Sequence, residues 1–194
     1  MPRRDYPVTV IAPTPRSTQP CFADLSRAEV RFSPLPDRDY GGGCALTGTV
    51  QLIDVGVPIT GLKAMRCDLA RNFIGWLRYA VAPAARQLLG SDLVRVETMG
   101  TYACRNVIGS AASAGKRSGH AIANAVDVAA FRLADGRRVS VLEDWHSPDQ
   151  RARDFFDAIH GSACKRFGTV LSPDYNAAHH DHLHLEADHA NFCR

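Results

Sequence analysis

The sequence predicts an α+β fold, an antiparallel sheet core with flanking helices. Three observations carry that expectation. Residues 66–81 place Leu69, Phe73, Trp76 or Leu77, and Ala80 at helical spacing. Several short segments instead alternate with period two, as strands buried on one face do. Two of these flank Asp135-Gly136, a strong hairpin turn signal.

The first twenty residues contain Pro2, Pro7, Pro13, Pro15 and Pro20 and little to bury. They read as an extended arm or linker, leaving 21–194 as the folded domain. From Cys21 to about Gly61 the chain looks irregular, broken by Pro34, Pro36 and Gly41-Gly42-Gly43. Only Thr49 to Ile53 alternates there and predicts a short strand. This part is expected to wrap the main domain, pinned by Cys21 and Cys44. Pro83 predicts the start of a second short helix running to Leu88, with Gly90 as its stop. Leu93 to Met99 predicts a strand, and 125–133 with 138–142 the hairpin. Ser147-Pro148-Asp149-Gln150 reads as a cap, a first-turn proline and a glutamine at N3. It launches a helix carrying Phe155, Phe156, Ile159 and Ala163. The last strand is Asp181 to Ala187.

Bulk properties narrow the class. At 194 residues and 45% hydrophobic, the chain is long enough to bury a real core in one domain. The net charge is +3, and Arg3-Arg4, Lys116-Arg117 and Arg137-Arg138 are isolated pairs. No basic stripe forms, so no nucleic-acid partner is expected. No apolar run is long enough to predict a membrane span. Cysteines at 21, 44, 67, 104, 164 and 193 contain no Cys-x-x-Cys, which argues against a zinc ribbon or a thioredoxin-type motif. Their even number and dispersion suit three disulfides made in an oxidising compartment, with free buried thiols the alternative. The expected location is therefore periplasmic, cell-envelope or secreted. Met1 to Asp5 lead into no apolar signal core, so a signal or anchor is expected to lie outside this sequence.

The chemistry gathers near the end, in His179-His180-Asp181-His182-Leu183-His184-Leu185-Glu186. In a strand, His182 and His184 share one face while Leu183 and Leu185 take the other. Imidazoles collected on one face of a core strand suggest a metal site. Further ligands are offered by Ser118-Gly119-His120 through Asp127-Val128. Alternation puts Asp127 beside Ala125 and Ala129, opposite Val126 and Val128. An aspartate on such a strand is costly unless paired or metal-bound. His120, Asp127 and His184 would give Zn2+ three protein ligands and an open position for water.

His120-x6-Asp127 followed by His182-x-His184 resembles the zinc D-alanyl-D-alanine metallopeptidases, particularly the penicillin-insensitive murein endopeptidases. Tyr102-Ala103-Cys104-Arg105, Ser118 to Val128, and Pro173 to Glu186 resemble the bacterial extensin-like C-terminal domain more closely still, over about Cys21 to Cys193. The resemblance implies a hedgehog/DD-peptidase type of fold with His120, Asp127 and His184 as zinc ligands. It implies an active-site role for His182, a further cleft histidine in His179, and no role for His180. Family members often carry glycine near Ala123, where a small side chain preserves the turn. Glu143-Asp144-Trp145-His146 imitates the Glu-x-x-His signature of the dipeptidase branch, but stands too early in the chain and would leave the terminal histidines without purpose.

The implied activity is zinc-dependent hydrolysis of peptide crosslinks in bacterial peptidoglycan, by a zinc metallopeptidase acting as an endopeptidase. His182 would handle the proton, alone or with His179. Arg105 would bind a substrate carboxylate or the developing oxyanion. Tyr102 would support it, and Asp181 and Glu186 would fix ring tautomers. Two alternatives stay open: a non-catalytic cell-wall-binding module with a vestigial zinc site, and a metal-dependent carboxypeptidase or amidase.

Overall fold

The structure is a computed structural model that describes residues 9–10, 18–109, 113 and 115–194. Most of the expected N-terminal arm lies outside these residues. Within it, β1 (Thr9–Val10) pairs with β3 (Arg38–Gly41), and Gln19 already opens helix α1 (Gln19–Arg27). Two small sheets build the segment to residue 66. One has the order β1-β3-β4 with β4 at Cys44–Leu46. The other has the order β2-β5-β7, with β2 at Arg31–Pro34, β5 at Thr49–Asp54 and β7 at Met65–Arg66. The segment therefore wraps the domain as ordered strands, not as irregular chain. Backbone pairing satisfies polar groups that an irregular wrap would have to leave to water.

Helix α2 (Cys67–Trp76) buries Leu69, Ala70, Phe73, Ile74 and Trp76, the face that periodicity indicated. A separate second helix does not start at Pro83. A π turn over Leu77–Val81 leads into α3 (Ala82–Ala84), and a second π turn over Ala85–Leu89 completes one continuous helical run. Pro83 sits next to these wider turns, where its missing N–H interrupts no regular ladder bond. The run stops at Gly90, whose φ of +71° lies in the left-handed region.

The main sheet has the order β13-β11-β12-β9-β8-β6, with β10 also on β9. Its members are β6 (Ile59–Thr60), β8 (Leu93–Gly100), β9 (Ala125–Leu133), β10 (Arg138–Ser140), β11 (Thr169–Leu171), β12 (Leu183–Glu186) and β13 (Phe192–Cys193). The centre is antiparallel as expected, while β6 and β13 add parallel edges. Strand β10 is shorter than predicted because the Ser140 hydroxyl caps α4 (Val141–Asp144) by accepting from the Glu143 N–H. Likewise α5 (Gln150–Cys164) starts two residues late, since Asp149 and not Ser147 is its cap.

Helices α2 and α5 cover one face of the sheet. The Trp76 indole donates to the Ile159 carbonyl at 2.9 Å, and Phe131 stacks edge-on against both Trp76 and Phe155. Val126, Val128, Leu183 and Leu185 point into this core. The register of β8 on β9 steps by one residue where β9 steps by two, leaving Ala129 extra. This bulge turns Phe131 and Leu133 into the core while keeping Asp127 on the opposite face. Three disulfides staple the domain: Cys21–Cys67, Cys44–Cys104 and Cys164–Cys193. Among the described residues, no helix is long and apolar enough to cross a membrane. The molecule is a mixed α+β domain with helices flanking a sheet core.

Candidate metal centre

Strand pairing assembles the site. His184 of β12 lies directly across from Asp127 of β9, and its Nδ1 is 2.8 Å from Asp127 Oδ1. His120 arrives from a 3-10 turn over Gly119–Ile122, started by Ser118 and closed by Ala123 at φ +53°. That turn sets His120 Nε2 at 3.0 Å from Asp127 Oδ2 and 3.3 Å from His184 Nδ1. All three side chains are buried. The structure thus brings together the three predicted ligands, with one donor atom of each inside a 4.8 Å group.

The far nitrogen of each ring explains what this cluster wants. His120 Nδ1 lies 3.2 Å from the Thr101 carbonyl, which can only accept. His184 Nε2 lies 2.6 Å from Glu186 Oε1. His120 therefore directs its Nδ1–H outward to Thr101, while His184 stands between two carboxylates, Glu186 at Nε2 and Asp127 at Nδ1. Two ring nitrogens and two carboxylate oxygens then converge in a buried space, an arrangement that is costly without a cation or a proton between them. Burial alone would raise the Asp127 carboxyl, but hydrogen bonds with His120 and His184 hold it far below the usual range. Burial alone would lower His184, yet Asp127 and Glu186 outweigh that and push it up to about 9. Without a metal, a proton fills the charge deficit. The residues fit a divalent cation with nitrogen and oxygen ligands.

Of the other predicted residues, Arg105, His179, His182 and Glu186 line a cleft of about 890 Å³ that opens on Asp127 and His184. His182 Nδ1 is 2.8 Å from Asp181 Oδ1, which aims its Nε2 inward to 3.6 Å from Asp127 Oδ1. His179 stands beside it, the two ring centroids 5.2 Å apart. Burial, with His184 and His182 adding to it, depresses His179 to about 4 and keeps it neutral. Arg105 lines the cleft together with Lys116 and an aromatic pair, Tyr175 and Phe192. Tyr102 does not line it; the ring packs on Tyr40 instead. His180 is exposed and bonds the Ala177 carbonyl. Glu143 and His146 lie outside the cleft, with Glu143 bonded to Ser140 and His146 beside Asp174.

Three contributors were not visible in the residue pattern. Asn176 caps the turn over Ala177–His179 and holds His179 Nδ1 at 2.8 Å, and the Asn-x-x-His spacing was the available signal. Thr101 acts through its carbonyl, which no side-chain pattern announces. Gly119 lies under Glu186; a Cβ there would come within 2.5 Å of that carboxylate.

Residues 19–194 match the family model described as Extensin-like protein C-terminus. No curated protein and no solved structure matches the chain. These findings correct the expected function. The match is to an extensin-like domain and not to a peptidase, so the zinc metallopeptidase that hydrolyses peptidoglycan crosslinks is withdrawn, and with it the peptide crosslink as partner. What stands is a buried His-Asp-His cluster fit for a metal ion, in a chain that belongs to the extensin-like protein C-terminus family.

Proposed function

We propose that this domain is a non-catalytic cell-wall-binding module organised around a zinc ion held by His120, Asp127 and His184. One observation carries the reading: both histidines hold their far nitrogen against a fixed acceptor, Thr101 or Glu186, and set their near nitrogen against Asp127. Zinc supplies a fixed positive charge and a Lewis-acidic coordination position. Around it, His182, His179 and Arg105 line the cleft as ligand-contacting groups. The order of ligands on turn and strand supports kinship in fold with hedgehog/DD-peptidase-type domains, as a binding relative. Three disulfides support a periplasmic, cell-envelope or secreted location.

The test pairs metal analysis with co-sedimentation on insoluble cell-wall polysaccharide. The expected result is one zinc per chain and retention on the wall, both lost in His184→Ala, with retention alone weakened in Arg105→Ala. Stoichiometric zinc without retention would remove the wall-binding role, and no zinc uptake would remove the metal centre.

A further inference from the structure

A second group of metal-ligating side chains lies apart from the cleft. His160 and Cys164 stand four residues apart on α5, and Cys193 reaches them from β13. His160 Nε2 is 3.9 Å from the Cys164 sulfur and 3.7 Å from the Cys193 sulfur. Donor atoms of all three fall within one 4.8 Å group, and all three residues are only partly buried. We infer that His160, Cys164 and Cys193 form a redox-gated site that holds a soft divalent cation such as zinc once the Cys164–Cys193 bridge is opened.

The distances suit this. With zinc–sulfur bonds of about 2.3 Å and zinc–nitrogen bonds of about 2.0 Å, a tetrahedral site separates its ligand atoms by about 3.5–3.8 Å. His160 Nε2 already stands near that distance from each sulfur. Only the two sulfurs must move apart, and side-chain rotation at Cys193 supplies that. The backbone holding Cys193 is also fixed by strand pairing. Cys193 pairs with Val170, and Arg194 exchanges hydrogen bonds with Val170 and Ser172 on either side. Trp145 stands edge-on to the His160 ring, its centroid 5.5 Å away, and limits ring rotation.

The chemistry balances with a dithiol reductant. Its two thiols become a disulfide, Cys164–Cys193 becomes two thiols, and the entering cation displaces two thiol protons to solvent. Thiolate and imidazole donors favour zinc over magnesium or calcium. Solvent water completes the coordination.

Cobalt(II) tests this, because thiolate ligands give it a near-ultraviolet charge-transfer band that nitrogen and oxygen ligands do not. In the oxidised full chain, cobalt is expected to bind without that band. After reduction with a phosphine, two free thiols in a folded chain should bring the band and one additional equivalent of metal. His160→Ala should weaken this second site at least about tenfold, since even outer partners of a ligand are worth that much. Cys193→Ser provides a version without reductant: Cys164 is left as a free thiol one helical turn from His160, and a weaker band should appear that is lost in Cys193→Ser/His160→Ala. No band in either the reduced chain or Cys193→Ser would overturn the proposal, as would a band of undiminished affinity in the His160→Ala background. Neither outcome depends on the His184 centre, which a His184→Ala background removes.

Discussion

His184 and Asp127 face each other across the β12–β9 pair, and the same register that places Leu183 and Leu185 in the core sets His184 Nδ1 at 2.8 Å from the carboxylate. Core packing and metal centre are thus one decision. A slip of β12 by one residue would turn His184 into the core against the helices and both leucines into the cleft.

Removing the carboxylate should abolish the centre. Asp127→Asn keeps the shape but loses the charge that balances a divalent cation, and zinc affinity is expected to fall at least about 100-fold. Isothermal calorimetry reads the loss, and an unchanged affinity would mean that the ion sits elsewhere.

Glu186 should matter without touching the metal. It holds His184 Nε2 at 2.6 Å and so keeps Nδ1 aimed at Asp127. Glu186→Gln is expected to reduce zinc affinity by about 10–100-fold. Gly119→Ala should act in the same direction, since its Cβ would intrude to 2.5 Å from that carboxylate. Competition with a chromophoric chelator measures both; equal binding by both variants and the unmodified chain would remove Glu186 from the design.

Zinc binding should release protons. His184 is raised from 6.5 to about 9 in the metal-free fold. A raised pKa gives a stabilisation that is complete below 6.5 and lost as the pH climbs through 9. Zinc needs the deprotonated ring, so near neutral pH its binding should expel about one proton and its affinity should rise with pH until the ring has lost that proton. Calorimetry in two buffers of different ionisation heat counts that proton. A heat independent of buffer would show that His184 enters the centre already neutral.

The N-terminal wrap should be stapled mainly by one bridge. Cys21–Cys67 ties α1 to the start of α2 over 46 residues of sequence, and both cysteines are buried. Replacing both by alanine should cost about 2–4 kcal/mol, seen as a lower midpoint in guanidinium unfolding. No shift would mean that packing alone holds α1.

Legibility in the sequence followed physical locality. His120, Asp127 and His184 were readable because strand alternation and a short turn fix where those side chains point. The run through Pro83 was not, since the wider turns that absorb the proline are set by packing of α2 and α5 around Trp76. The bulge at Ala129 shows in the sequence only as a change of phase, from Val126 and Val128 to Phe131 and Leu133, and the Cys pairing depends on contacts far apart in the chain. Function was the least legible. The ligand pattern that resembled a zinc hydrolase stands in a chain that matches the extensin-like family, as a His-Asp-His cluster able to hold a metal ion.

Zinc titration of the full chain beside Glu186→Gln tests the centre most directly. One zinc per wild-type chain, bound with proton release and weakened about 10–100-fold in the variant, is the predicted result. Saturation at no zinc, or equal affinity in both proteins, would contradict a cation centre built on His120, Asp127 and His184.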